Sequence, residues 1–178
     1  MYTETLSLVA HLNERRPAPT LPGRLDQLFR QLGASHRPAP DLEDEIWYLW
    51  MQHPHRRASE ALDRAADDIA GQRFDLAETR LHRLVRACPH YPEAWHKRAT
   101  LYYLLERDDE SVRAIHCTLQ LEPRHFGALC ALGEICMGRS DHEAALMVFK
   151  AALRLNPHLD AARDAVERLL TSKPSGRH

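Results

Sequence analysis

Apolar residues recur every three or four positions along most of the chain, which is the spacing of one face of an α-helix. One such series, near the start of the chain, is Leu25, Leu28, Phe29 and Leu32. Another, near its end, is Ala162, Ala165, Val166 and Leu169. Leu and Ala make up much of the apolar content, and only 7 glycines are present, which favours helices over strands. We therefore predict an all-α fold.

Three prolines mark a constant period within the helical pattern. Pro89, Pro123 and Pro157 lie 34 residues apart, and each follows a helical stretch that proline cannot continue. Counting back from these prolines gives three repeats: 58–91, 92–125 and 126–159.

The residues at fixed positions of each repeat resemble those of the tetratricopeptide-repeat (TPR) family, whose repeats are two closely packed antiparallel helices, A and B. Small residues stand where the two helices must approach each other: Ala77, Ala99, Gly133 and Ala145. Large residues stand where the space between neighbouring helix pairs must be filled: Trp95, Tyr102 and Phe149. In this pattern the sequence resembles the TPR family over residues 58–170. The resemblance implies a right-handed superhelix of antiparallel helix pairs, closed by a capping helix at 160–171 and followed by a frayed tail at 172–178.

The residues before the repeats are predicted to form two further units. Residues 1–22 combine a short amphipathic helix with a proline-rich linker, and residues 23–57 form a helical pair. That pair is either a degenerate TPR-like repeat or a specialised N-terminal cap. The first helix either docks loosely or folds into a groove of its own chain or a neighbouring one. Trp47 and Trp50 share one helical face, which belongs either to the core between helix pairs or to an exposed docking patch.

Three stretches are similar to a group of small TPR proteins found mostly in α-proteobacteria: Glu45–Trp50, Trp95–Leu104 and Pro123–Leu129. Members of that group often carry a secretory leader. Residues 1–16 lack a basic n-region and a long apolar stretch, so we expect a cytoplasmic protein, with the periplasm as the alternative. The four scattered cysteines are expected to be reduced.

The family resemblance implies a ligand groove lined by the A helices. The predicted groove residues are Leu62, Ala66, Ile69, Glu93, His96, Lys97, Thr100, Tyr103, Gly127, Cys130, Glu134 and Met137. Some TPR domains clamp the C-terminal carboxylate of heat-shock chaperones with Lys, Asn and Arg. Leu62 and Ala66 stand where the first repeat would need Lys and Asn, so we predict that this clamp is absent.

Composition and motifs argue against other classes of function. The formal net charge of -1 gives no electrostatic reason for nucleic acid as a partner, and no apolar run is long enough for membrane insertion. Nucleotide-binding and hydrolase motifs are missing, so we predict neither catalysis nor a cofactor. His53 with His55, and Cys88 with His90, come nearest to metal-chelating spacing, but we predict no metal site.

The sequence thus predicts a non-catalytic scaffold or adaptor that binds a protein or peptide in the concave groove. Two alternatives remain: an export or assembly chaperone for a client protein, and a homo-oligomer that assembles through its N-terminal segment.

Overall fold

A computed structural model describes residues 1–35 and 40–171. Every regular element among them is helical, which confirms the all-α prediction. The helices are α1 (Tyr2–Ala10), a short 3-10 turn (Leu12–Glu14), α2 (Arg24–Ala34), α3 (Pro40–Met51), α4 (Arg56–Ala70), α5 (Phe74–Ala87), α6 (Pro92–Leu104), α7 (Asp108–Leu121), α8 (Phe126–Gly138), α9 (His142–Leu155) and α10 (Asp160–Thr171). The predicted tail at 172–178 lies outside the described residues.

The 34-residue period is visible in the backbone of three antiparallel helix pairs, α4–α5, α6–α7 and α8–α9. Each B helix ends two residues before Pro89, Pro123 or Pro157. The A-to-B turns repeat with the same period, because Gln72, Glu106 and Ser140 all adopt a left-handed backbone, with φ of 56°, 57° and 57°. In each turn the next N–H reaches a carbonyl five residues back, as in a Schellman motif.

Small residues allow the two helices of a pair to approach closely. At Gly133 an added Cβ would lie 2.5 Å from Cε1 of Phe149, a fully buried ring on α9. At Ala99 the backbone carbonyl of α6 accepts a hydrogen bond from the Ser111 hydroxyl of α7 at 2.9 Å. These contacts set the spacing within repeats two and three.

Helix α10 packs on α9 and covers the far end of the repeats. Its buried face is the apolar series seen in the sequence, while the opposite face is exposed. This is the arrangement that a solenoid needs at its last repeat.

Helix α1 packs on α7 and α9, the B helices of repeats two and three. It therefore lies on the face opposite the A helices. Leu8, Val9 and Leu12 are buried there in the main core. The hydroxyl of Tyr2 donates to Oδ2 of Asp141 at 3.0 Å. The linker that follows is tied to the same face, because the backbone N–H of Ala18 donates to the carbonyl of Leu121 at 2.7 Å.

The α2–α3 pair packs mainly on α4, α6 and α9, and neither of its helices makes a substantial contact with α5. A preceding repeat would stack on both α4 and α5, so this pair occupies a different position. It folds over the starts of α6 and α8 and over the turns that precede α8 and α10. Within residues 1–35 and 40–171, no helix has the length and apolar character needed to cross a bilayer.

The close approach at Gly133 can be tested by substitution. Gly133→Ala should lower the free energy of unfolding by about 1–3 kcal/mol, because the buried Phe149 ring cannot move away cheaply. Gly138→Ala is the matched control in the same helix, since a Cβ there meets nothing within 4 Å. The control should be neutral or stabilising by up to ~1 kcal/mol, from helix propensity alone. Urea denaturation measures both, and equal effects would contradict the predicted contact.

Candidate ligand groove

The A helices α4, α6 and α8 lie side by side and form the face predicted to be the groove. The twelve predicted residues do not share one environment. Leu62, Glu93 and His96 are buried; Ala66, Ile69, Lys97, Thr100, Gly127, Cys130 and Met137 are partly buried; Tyr103 and Glu134 are exposed. Leu62 is fully buried in the cluster that contains Ala65 and Leu81, so it belongs to the core rather than to the groove.

Helix α3 covers the first half of this face. The ring of Trp47 lies 5.7 Å from that of His96 and 5.5 Å from that of Phe126. A Cβ on Gly127 would lie only 2.5 Å from Cη2 of Trp47. The absence of a side chain at Gly127 therefore allows α3 to sit directly on the start of α8.

Trp50 anchors α3 one turn further along. Its ring is almost completely buried and stacks on His125, with a centroid distance of 4.1 Å and an interplanar angle of 10°. Phe126 and Phe29 complete the aromatic cluster, the latter from α2. At the end of α3, the Tyr91 hydroxyl donates to the carbonyl of Met51. These contacts attach both α2 and α3 to repeats two and three.

A buried carboxylate lies beneath the two tryptophans. Glu93 is fully buried, and its Oε1 lies 3.1 Å from Nδ1 of His96 and 3.2 Å from Nζ of Lys97. Its Oε2 lies 2.8 Å from Nε2 of His125, the last residue of repeat two, which caps α8 at the start of repeat three. Because a buried charge is costly unless it is paired and hydrogen-bonded, this network fixes repeats two and three relative to each other.

The proton positions in this network follow from the helix cap. His125 precedes α8, and its Nδ1 accepts a hydrogen bond from the backbone N–H of Ala128 at 3.1 Å. Nδ1 is therefore unprotonated, and Nε2 carries the proton that it donates to Glu93. A histidine side chain here replaces the usual N-cap residue.

Burial and hydrogen bonding shift the pKa values of this cluster. Burial lowers the pKa of His96 to about 4, against the opposing attraction of Glu93, so the imidazole is neutral at pH 7. Burial alone would raise the pKa of Glu93, but the charge interaction with His96 and the hydrogen bonds from His125 and His96 outweigh it. The pKa of Glu93 therefore lies well below its ordinary value, and the carboxylate is ionised.

Glu93, His96 and His125 also bring three potential metal-ligand atoms within 4.8 Å of one another. Their hydrogen bonds do not suit a metal ion. His125 has no free lone pair on Nε2, because the Ala128 N–H occupies Nδ1. In addition, the ammonium of Lys97 already lies against Glu93. A metal ion would have to break the α8 cap and approach that cation, so we interpret the cluster as a hydrogen-bond network.

A second buried carboxylate attaches α2. Glu122 accepts hydrogen bonds from the Arg124 side chain at 2.9 Å on each oxygen, and Arg124 Nη1 reaches Asp26 of α2 at 2.6 Å. The indole N–H of Trp50 points to Glu122 at 3.5 Å. The turn between α7 and α8 is therefore the ionic attachment point of the α2–α3 pair.

The second half of the concave face remains accessible. Tyr103 and Leu104, at the end of α6, are 41% and 50% exposed. Glu134 on α8 is exposed beside the partly buried Met137. Thr100 on α6 and Ala66 and Ile69 on α4 are partly buried. We call Tyr103, Leu104, Glu134 and Met137 the open half of the groove, and the face beneath α3 the closed half.

Cys130 lies towards the closed half. Burial raises the pKa of its thiol to about 11, with Glu134 and Glu43 of α3 adding to the effect. The thiol therefore stays protonated at neutral pH and is a poor nucleophile or metal ligand.

Several residues that form this site were not among those predicted from sequence: Trp50, Glu122, Arg124 and His125. His125 and Glu122 occupy the B-to-A turn, which the groove positions of the repeat do not include. A sequence signal could have identified His125, because it stands directly before α8 at the N-cap position.

Comparison with known proteins identifies the family that shares this geometry. A TPR repeat-containing protein of Rhizobium etli is 30% identical over 159 residues, which cover 88% of this chain and 78% of the relative. The chain belongs to the tetratricopeptide-repeat family. Residues 56–114 of this TPR protein also match a family described as "Family of unknown function (DUF6584)".

Two solved TPR structures share the fold at low sequence identity. The first TPR domain of Spaghetti (RPAP3), bound to an HSP90 peptide, has a TM-score of 0.61 at 16% identity, and the match covers 65% of this chain and 91% of that one. The Sgt2 TPR domain from Aspergillus fumigatus has a TM-score of 0.61 at 14% identity, with coverage of 66% and 80%. The predicted TPR solenoid is thereby confirmed.

The pKa of His96 predicts an acid-sensitive stability. The pKa of His96 is about 4 in the folded chain and 6.5 in the unfolded chain. Between these two pH values, His96 is therefore more protonated in the unfolded chain than in the folded one. Stability should therefore fall as the pH drops, by about 2 kcal/mol between pH 7 and pH 4.5. Urea denaturation should show that His96→Gln removes this part of the pH dependence. The matched variant His142→Gln, at an exposed histidine, should keep it.

The contact between α3 and α8 predicts coupling between two substitutions. Gly127→Ala should destabilise the protein by about 1–3 kcal/mol, because the new methyl group meets Trp47. In a Trp47→Ala background the same change should cost nothing, since the obstructing ring is gone. A double-mutant cycle followed by urea denaturation measures the coupling. Additive effects would show that α3 does not lie on Gly127 in solution.

Proposed function

We propose that this TPR protein is a non-catalytic adaptor that binds a protein segment in the open half of its concave groove. The observation that carries the proposal is the exposure of Tyr103 and Leu104 at the end of a helix whose Glu93 and His96 are buried beneath α3. Exposed aromatic and apolar side chains on a rigid surface are typical anchors for a partner.

The chemistry of the open half favours a segment with one apolar anchor and a polar or basic neighbour. Tyr103, Leu104 and Met137 offer apolar contact, while Glu134 offers an exposed carboxylate. Glu134 forms no ion pair with any residue of the described ranges 1–35 and 40–171, so its charge is available to a ligand.

The closed half limits the length of that segment. Helix α3 already covers Glu93, His96 and Gly127, the positions at which an extended ligand would continue along α6 and α8. A ligand therefore meets about half of the concave face unless it displaces two tryptophans. This favours a short anchor over a long peptide that runs through the whole groove.

The environment of the cations argues against an acidic C-terminal peptide as the ligand. Lys97 is held by Glu93 at 3.2 Å and lies 5.8 Å from the Trp47 ring. Arg98 lies over Trp95 and Tyr102. Leu62, which stands at a clamp position, is buried. The HSP90 peptide bound by the RPAP3 domain is therefore not the ligand class that we propose here.

The chaperone and self-assembly alternatives both require α1 to leave its site. Its departure would expose Leu8, Val9 and Leu12 and break the hydrogen bond between Tyr2 and Asp141. Binding in the open half needs no such rearrangement, which is why we favour it.

Isotope-coded affinity capture from the native host tests the proposal. The double variant Tyr103→Ala/Glu134→Lys should lose the partners that the wild type captures. Tyr48→Ala is the matched control, because Tyr48 is a 62% exposed tyrosine on the outer side of α3. It should retain them.

Thermal unfolding must show that both variants are folded. If partners persist with the double variant, the open half is not the binding surface, and the proposal is wrong.

A further inference from the structure

The two ends of the solenoid differ in whether a helix covers them. Helix α10 covers the outer side of the last repeat. At the first repeat, the α2–α3 pair turns into the groove, and no helix among the described residues stacks on the outer side of α4 and α5. A terminal repeat without a covering helix leaves unpartnered the surface on which a neighbouring repeat would pack.

This surface contains a cleft of about 370 Å³ between the start of α4 and the end of α5. Its floor is formed by small side chains and one buried leucine: Ala58, Ala61, Leu84, Ala87 and Cys88. Because the floor lies between two antiparallel helices, it has the shape that receives a third helix, as α6 is received on the opposite side.

The rim of the cleft is basic. Arg57, Arg80 and Arg83 line it, and no carboxylate does. Nε of Arg80 lies 2.7 Å from Asp68, whose charge is shared with Arg73. Arg57 and Arg83 form no ion pair with any residue in the described part of the chain, so two cations remain without a counter-charge.

We propose that this end cleft binds an amphipathic helix of a partner protein, with apolar side chains on the floor and carboxylates beside Arg57 and Arg83. A helix fills a groove between two helices, and acidic residues on its flanks supply the missing counter-charge. A flat anionic membrane would meet the arginines but leave the recessed floor empty. Nucleic acid would gain nothing from an apolar floor. The end cleft is separate from the open half of the groove and does not depend on it.

A designed peptide tests this site on the full-length protein. The probe has the length of α4, 15 residues, with leucines on one face and glutamates on both flanks. A second peptide carries glutamine in place of every glutamate. Fluorescence anisotropy should give a dissociation constant about tenfold lower for the glutamate peptide at low ionic strength. The preference should weaken with added salt.

Two charge-reversal pairs locate the binding. Arg57→Glu/Arg83→Glu should weaken binding of the glutamate peptide by about tenfold. Arg56→Glu/Arg86→Glu makes the same change of charge at exposed positions on the same helices, outside the cleft, and should have little effect. Binding should also slow iodoacetamide labelling of Cys88 relative to Cys117, read by mass spectrometry.

Several outcomes would overturn the proposal. One is equal binding of the two peptides, and another is equal loss with both charge-reversal pairs. Labelling of Cys88 that is unchanged by the peptide would also overturn it. So would capture by phosphatidylglycerol vesicles, sensitive to Arg57→Glu/Arg83→Glu, without peptide binding. Tyr103→Ala/Glu134→Lys should leave peptide binding intact, so failure here is distinguishable from failure of the groove proposal.

Discussion

The buried carboxylate of Glu93 is the group on which the arrangement of the concave face depends. A carboxylate removed from water must be paired and hydrogen-bonded, and here its partners come from α6 and from the turn that caps α8. His96 and Lys97 belong to the same helix as Glu93, while His125 belongs to the turn before α8. Trp47 and Trp50 of α3 cover this network. The register of repeats two and three and the position of α3 are therefore set by one cluster.

That cluster also determines what the groove can do. In a TPR solenoid the concave face is continuous, but here α3 occupies its first half through contacts that the sequence supplies at specific points. Gly127 gives Trp47 room, and His125 gives Trp50 a flat ring on which to stack. Under the proposed function, binding is thereby restricted to the ends of α6 and α8, where Tyr103 and Glu134 remain accessible. The restriction is both steric and electrostatic. Helix α3 blocks the space, and displacing it would remove the cover from the buried Glu93 carboxylate and disturb its hydrogen-bond network.

The repeats themselves could be predicted from sequence because their signals are local. Proline after each B helix, small residues at the close contacts and the 34-residue period all lie within one repeat. The position of α3 could not be predicted in this way. Helical spacing shows that Trp47 and Trp50 share a face, but it does not say which distant surface that face meets. The partners of that face are Gly127 and His125, about 75 residues away in the chain, and no local rule links them. For Leu62 the opposite happened: the repeat register assigned it to the groove, whereas the packing of α4 on α5 buries it in the core.

The position of the α2–α3 pair has a physical rationale in the residues that it would otherwise cover. The outer face of the first repeat offers Ala58, Ala61 and Ala87, and no Phe, Tyr or Trp ring lines the cleft there. The groove offers Phe126, His125 and the space above Gly127, against which Trp47, Trp50 and Phe29 pack ring against ring. The α2–α3 helix pair therefore gains more packing energy by folding into the groove than by covering the end of the first repeat. The end left uncovered carries an apolar floor, and the arginines on its rim are exposed to solvent. Under the proposal made for the end cleft, this surface accepts a covering helix that brings negative charge.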